Sequence, residues 1–309
     1  MPLPSSGPLS FDAIAYNMPL YGPFGPYSLK NMSIITARGG TWDVNGLWTQ
    51  EPYETSSFYG APSGGLDYGN VQILQDYSLN GYYSSPTSVV KDTSGENRDG
   101  VFVTGTGNGT ATNITGYNSS VGGFMTTSNA NQYAIRLNNF AKFSGTAPHS
   151  LVTWFNVADF PTDYPGLIAC EGRSGSNPIG YSLYLNKITS STFGVNYSRF
   201  SGTSGTQYNL NLTAIGAQFT TGFWYMVALV FDGSTASIIM YQASSTTQIT
   251  GISGSNSYSI ATDSAWSCFQ GLRYNMWLNG YFGYTAIYDY ALTALDIKKI
   301  QTATRLRYA

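Results

Sequence analysis

Glycosidic-bond hydrolysis requires two carboxylates across the scissile bond. The glutamates of this chain, Glu51, Glu54, Glu96 and Glu171, are too scattered to supply a closely spaced acidic set. His149 is the single histidine. It sits in Gly145-Thr146-Ala147-Pro148-His149, a turn-like approach to a strand, where a structural role is expected rather than a catalytic one. No His/Cys cluster has zinc-ligand spacing. Asp92, Asn97 and Asp99 are hard-oxygen groups that would suit a structural Ca²⁺. Asp92-Thr93-Ser94-Gly95 also reads as a turn in which the aspartate caps its own backbone, and the turn is favoured. No other cofactor is expected. Sugar recognition is the remaining chemistry, because sugars stack their apolar faces on aromatic rings and offer hydroxyls to polar groups. Tyr164, Tyr197, Trp266, Tyr274 and Trp277 lie in loop-like sequence and are the glycan-binding candidates. Tyrosine also suits strands and subunit interfaces, since it buries area while keeping a polar tip, so a core or interface role competes at each position.

The elements that would hold these residues are strands. Charged residues make up 10% of the chain, against about 25% in an average soluble domain. Gly, Ser, Thr, Asn and Tyr are abundant, a composition that favours pleated segments joined by turns. A net charge of −2 leaves no basic footprint for nucleic acid. Cys170 and Cys268 stand far apart in sequence; they could pair, but free thiols are the expectation for a protein assembled in a cytoplasm. The amino terminus has neither the basic nor the apolar region of a signal peptide. The longest apolar run, Phe223 to Phe231, is about half the length of a membrane span.

Residues 1–65 differ from the rest. They are punctuated by Pro and Gly and carry a weak repeat, Gly7-Pro8-Leu9-Ser10-Phe11-Asp12-Ala13-Ile14 against Gly25-Pro26-Tyr27-Ser28-Leu29-Lys30-Asn31-Met32, with a degraded echo at Ser57-Phe58-Tyr59-Gly60. Ser10 and Ser28 can each cap one helical turn. Phe11 and Ile14, and Leu29 and Met32, would share a face of such a turn. One turn cannot bury its own stripe, so this segment needs something to dock against; a strap on its own domain is the alternative. From residue 66 onward short strand candidates recur between turn clusters. Leu151 to Val157 reads as a half-buried strand. Tyr225 to Phe231 is apolar on both faces and suits a central strand, and Asp232-Gly233 turns it into a hairpin with Ala236 to Tyr241. Tyr281 to Tyr288 is another apolar-aromatic strand. One helix is expected near the end, capped by Thr293 with Asp296 three residues on, and with Ile297 and Ile300 on its apolar side.

Two stretches carry a family resemblance. Gly222-Phe223-Trp224-Tyr225-Met226-Val227-Ala228-Leu229-Val230-Phe231-Asp232-Gly233 resembles the "W-x-x-V-A-x-V-x-D-G" hairpin of laminin-G and concanavalin-A-like domains. Gly280 to Thr293 resembles their closing strand, with Tyr290 where that family usually has Arg or Lys. Leu74-Gln75-Asp76-Tyr77-Ser78 and Asp92 to Gly100 are similar to the opening of the family's phage-borne members. The segment 1–65, including Phe58 and Tyr59, resembles the start of many tailed-phage virion proteins. The resemblance implies an all-β, two-sheet antiparallel jelly-roll sandwich at 66–309 with a short C-terminal helix. It implies a docking segment at 1–65 and a non-enzymatic bacteriophage virion component, a tail- or baseplate-associated adhesin that binds host-surface glycans. Its expected partners are other virion proteins, further copies of itself (a trimer favoured) and host-surface carbohydrate. A head decoration or head-fibre role, and a secreted cellular lectin, are the alternatives.

Overall fold

The computed structural model describes residues 71–75, 89–90, 92, 94, 96–104, 109–110, 117–118, 123–126, 134–137, 141–160, 162–174, 177–202, 207–212, 216–255, 259–260, 267–274, 276–305 and 308. The docking positions Ser10, Phe11, Ile14, Ser28, Leu29, Met32, Phe58 and Tyr59 lie outside them.

In chain order the strands are β1 (Val71–Gln75), β2 (Val89–Val90), β3 (Gly100–Thr104), β4 (Gly109–Thr110), β5 (Tyr117–Asn118), β6 (Gly123–Thr126) and β7 (Ala134–Leu137). They continue with β8 (His149–Asp159), β9 (Gly166–Ser174), β10 (Asn177–Lys187), β11 (Thr192–Ser201), β12 (Gln207–Asn211) and β13 (Phe219–Thr220). The last are β14 (Trp224–Phe231), β15 (Thr235–Gln242), β16 (Gln248–Ser255), β17 (Ser267–Gln270), β18 (Leu272–Arg273), β19 (Met276–Trp277) and β20 (Asn279–Tyr288), followed by helix α1 (Ala294–Thr304).

Two antiparallel sheets result. The first runs β16-β15-β14-β8-β20-β6-β5, with β1 also paired to β20. The second runs β12-β11-β10-β9-β17-β7-β3-β2, with β13 and β4 attached. β8, β14, β15 and β20 fall on the strands expected from sequence, but β8 is buried on both faces over Leu151–Phe155 and not half-buried as expected. Because side chains alternate across a strand, one set from each sheet faces its opposite number. Leu151, Tyr225, Val227, Leu229, Phe231 and Ile238 from the first meet Tyr181, Leu183, Leu185, Phe193, Val195 and Tyr197 from the second in one core. A polar tie crosses it: Gln270 Nε2 donates to Thr285 Oγ1 at 2.8 Å, which lies 2.7 Å from Thr153 Oγ1.

All eight residues of β14 are buried, and the helix explains the second face. Thr293 and Asp296 form the capping box expected from sequence. Ile297, Ile300, Gln301 and Thr304 are buried, and Trp154 Nε1 donates to Thr304 Oγ1 at 2.7 Å. The chain then ends on the same face: Tyr308 packs on Trp154 and Trp224 at 4.9 and 4.7 Å between ring centroids. Its hydroxyl accepts from the Tyr284 N–H at 2.6 Å. Gly283 makes room for this ring, which a Cβ there would overlap.

The structure corrects the expectation for the cysteines. Cys170 on β9 and Cys268 on β17 stand directly opposite one another in the register of neighbouring strands, with Cα atoms 4.0 Å apart, and they form a disulfide. Pairing two strands far apart in sequence creates this neighbourhood.

His149 opens β8 and is fully buried, stacked on Phe143 at 4.5 Å. A carbonyl can only accept, so Nδ1 carries the proton and donates to Ala147 O at 2.9 Å. Nε2 is left to accept from the Tyr197 hydroxyl at 3.3 Å. Burial first, and the Arg199 charge in addition, push its pKa down to about 3. The ring is therefore a neutral core group, in keeping with the structural role expected.

Candidate functional site

The residues opposite the core set on the second sheet form its outer face. Reading across the register, Phe269, Ala169, Ser182, Ser198 and Asn209 make one row. Ser267, Glu171, Gly180, Phe200 and Gln207 make the next. The middle of this face is small and polar but covered, with Ala169, Ser182, Ser198 and Phe200 buried; larger rings stand towards its sides, and there the face opens to solvent. Ser198 Oγ donates to Asn209 Oδ1 at 2.6 Å and lies 3.2 Å from the Tyr184 hydroxyl.

The β18–β19 hairpin folds over one side of the face. Leu272 and Trp277 pair across it and pack with Val103, Ala134 and Phe269. Gly166 permits the approach: a Cβ there would stand 2.6 Å from Leu272 O. Tyr274, at the turn, has φ 49°, a left-handed conformation that a bulky residue adopts at a cost of about 1–3 kcal/mol. Strain of this kind concentrates where a side chain has to be aimed.

Under that turn lies a cavity of about 130 Å³, with Ala169, Ser267 and Phe269 on the sheet side, Arg273 and Tyr274 on the hairpin side, and Glu171 as its carboxylate. Arg273 Nε donates to Glu171 Oε1 at 2.9 Å, and the two side chains are 10% and 5% exposed. The Arg273 guanidinium rests 3.9 Å from the centroid of Tyr184 and 5.3 Å from that of Tyr274. Tyr164 meets Tyr184 edge-on at 6.3 Å. Two tyrosines thus flank one cation and a third, Tyr164, leans on one of them; Tyr164 (43% exposed) and Tyr274 (41% exposed) open to solvent. A ring face beside a paired acid and base is able to stack a flat apolar surface and to answer polar groups at its edge.

Of the five aromatic candidates, the structure brings Tyr164 and Tyr274 together here. Tyr197 is a core residue with no exposed area, because it shares the inward side of β11 with Phe193 and Val195. Trp277 is 3% exposed, since it pins the hairpin to the sheet. Burial removes both from any sugar-facing role. Trp266 lies outside the described residues. The site also contains Tyr184, Glu171 and Arg273, which sequence reasoning missed. Tyr184 alternates with the core residues Leu183 and Leu185, a pattern that could have turned it outward; Glu171 and Arg273 carry no local signal of their pairing.

The calcium candidates are accounted for by a turn. Asp92 accepts from the backbone N–H groups of Ser94 and Arg98 at 3.0 and 2.9 Å and from Ser94 Oγ at 2.7 Å. Asp99 accepts from the Asp92 N–H at 2.8 Å, and Asn97 has φ 55°. Among the described residues no three His, Cys, Asp or Glu side chains gather as a metal site.

The chain is similar to several solved structures and to one family model. The binding domain of botulinum neurotoxin serotype G matches with a TM-score of 0.48 at 11% identity, over 75% of this chain and 51% of its own. That of serotype D/C matches with a TM-score of 0.46 at 14% identity, over 76% and 52%. The chain thus spans about half the length of these neurotoxin domains. The CBM40 of the Ruminococcus gnavus IT-sialidase, bound to α2,3-sialyllactose, matches with a TM-score of 0.39 at 13% identity, over 50% and 82%. No curated protein matches the sequence. A family model described as the concanavalin A-like lectin/glucanases superfamily matches residues 126–298. With more than half its length under that match, and with two antiparallel sheets and a terminal helix to go with it, the chain belongs to the concanavalin A-like lectin/glucanases superfamily.

Proposed function

We propose that the sandwich is a non-catalytic carbohydrate-binding module whose sugar lies beside the β18–β19 hairpin, at the side of the second sheet where Tyr164 and Tyr274 reach solvent. The observation that carries this reading is the exposed Tyr274 beside the Glu171–Arg273 pair, with Tyr184 under the guanidinium and exposed Tyr164 edge-on to Tyr184. The cavity is lined by one carboxylate, whereas two-carboxylate hydrolysis needs a partner across the bond. Tyr274→Ala is expected to weaken glycan binding a few-fold to about tenfold, the scale of one lost aromatic contact. The melting temperature should hold, because the ring is 41% exposed. Titration calorimetry against a glycan found by array screening measures it; unchanged affinity would move the sugar off this face.

The finer role in this reading is display on a bacteriophage particle, with residues 1–65 docking the module to other virion proteins and the sugar belonging to a host surface. It is supported by the N-terminal motifs and their likeness to virion proteins. Oligomerisation, with a trimer favoured, goes with the same reading. Antibody against this protein should label intact particles at the tail tip or baseplate. Label over the head would instead favour decoration, and particles without label would return the chain to the cellular-lectin reading.

A further inference from the structure

The cavity under Tyr274 holds an acceptor that no group among the described residues satisfies. Glu171 is 5% exposed, and its Oε1 takes the Arg273 Nε hydrogen. Its other oxygen, Oε2, is buried without a hydrogen-bond partner. Leaving a buried polar atom unpaired costs about 1–3 kcal/mol, and more for a charged group. Ala169 and Phe269 supply apolar surface, the Arg273 guanidinium is held by Tyr184 and Tyr274, and Ser267, the hydroxyl in the lining, makes no hydrogen bond to this oxygen. A ligand group that enters must therefore donate.

Charge narrows its class. Glu171 and Arg273 neutralise each other, so the pair presents no net charge to a newcomer; Arg136, opposite Phe269 on β7, stands at the next place in the row and is not in the cavity lining. A ligand carboxylate would have to share one guanidinium with Glu171 in a poorly solvated place, and like charges set together at such a site repel strongly. An ammonium would meet the same difficulty with Arg273. A hydroxyl meets neither, and it forms the stronger, charge-assisted bond with a carboxylate.

We propose, building on the carbohydrate reading above, that this site selects uncharged sugars, one hydroxyl donating to Glu171 Oε2 while the C–H face of the ring rests on Tyr274, and that it refuses sialic and uronic acids. A cavity of about 130 Å³ is well below the ~300 Å³ of ordinary ligand pockets. It takes one edge of one sugar residue, and the rest of the ligand lies outside, beside the exposed Tyr164 and Tyr274.

The test uses the full chain on a printed array of neutral oligosaccharides (mannosides, galactosides, glucans) and of sialylated and uronic-acid-containing ones. Binding is expected on neutral glycans only. Affinity for the best neutral glycan should stay constant from about 50 to about 500 mM NaCl, because no net charge is brought together for salt to screen. Glu171→Gln should weaken that glycan about tenfold, as a charge-assisted bond is replaced by a neutral one. Capture of acidic glycans, or affinity that falls with salt, would overturn the proposal. So would a folded Glu171→Gln protein that binds like the wild type while Tyr274→Ala does not, and that result would leave the carbohydrate reading standing. If Glu171→Gln melts early, the salt series on the wild type decides. An array with no bound glycan of either class would remove the carbohydrate reading and this proposal with it.

Discussion

Lowering the pH from 6.5 towards 3 should destabilise the sandwich by up to roughly 5 kcal/mol through His149 alone. In the unfolded chain the imidazole titrates near 6.5; in the folded protein burial and the nearby Arg199 hold it neutral down to about 3. Above 6.5 neither state is protonated there, and the stability is fully present. Between the two values the unfolded state takes up a proton that the folded state refuses, so stability falls with pH. Below about 3 both states are charged and the dependence levels off. The folded state has no cheap way to accept the proton. Phe143 stacks on the ring, Nδ1 is committed to Ala147 O, and Nε2 faces the Tyr197 hydroxyl with Arg199 close by. Urea unfolding at a series of pH values measures the slope. His149→Gln should start less stable at pH 7.5, having lost the ring stack, and should then show a much shallower decline. Equal slopes in wild type and variant would mean that other groups set the acid sensitivity.

The parts of this fold that could be read from the sequence are those whose signal is local. The β14–β15 hairpin follows from an apolar run ending at Asp232-Gly233, and Gly233 indeed turns with φ 102°. Helix α1 follows from Thr293 and Asp296 with two isoleucines behind them. What could not be read is set by pairing over distance. Cys170 and Cys268 become neighbours only when β17 adds beside β9. Glu171 and Arg273, 102 positions apart, meet only after the β18–β19 hairpin folds over the same sheet. The aromatic candidates divide on the same principle. Tyr197 and Tyr164 both sit in polar, turn-like sequence. Tyr197 is nevertheless drawn inward by its place in the alternation Phe193, Val195, Tyr197, whereas Tyr164 lies before β9 begins and escapes the core. Composition identified which residue types could meet a sugar. The register determined which of them reach solvent.

Arg273→Met should cost about 3–5 kcal/mol of stability, the range for removing one partner of a buried ion pair. Glu171 would remain 5% exposed, its carboxylate now lacking the guanidinium that balances it. Methionine keeps an apolar body against Tyr184, so the loss reports mainly the charge and not the stack. Adding Glu171→Gln to the same protein should recover most of the loss, because no unbalanced charge is left. The double-mutant cycle, read by urea unfolding, gives the coupling directly. A single variant within about 1 kcal/mol of wild type would place the pair among weak surface salt bridges. Binding should follow a different pattern. Arg273→Met loses the guanidinium that holds Glu171 Oε1 and sits against Tyr184 and Tyr274, so acceptor and ring are no longer fixed relative to one another, and the double variant has no charged acceptor at all. Both should bind the neutral glycan more weakly than wild type, although only one of them is unstable. Stability and recognition therefore separate in the double variant: an intact fold with weakened binding is the signature of a pair kept for its ligand, not for the sandwich.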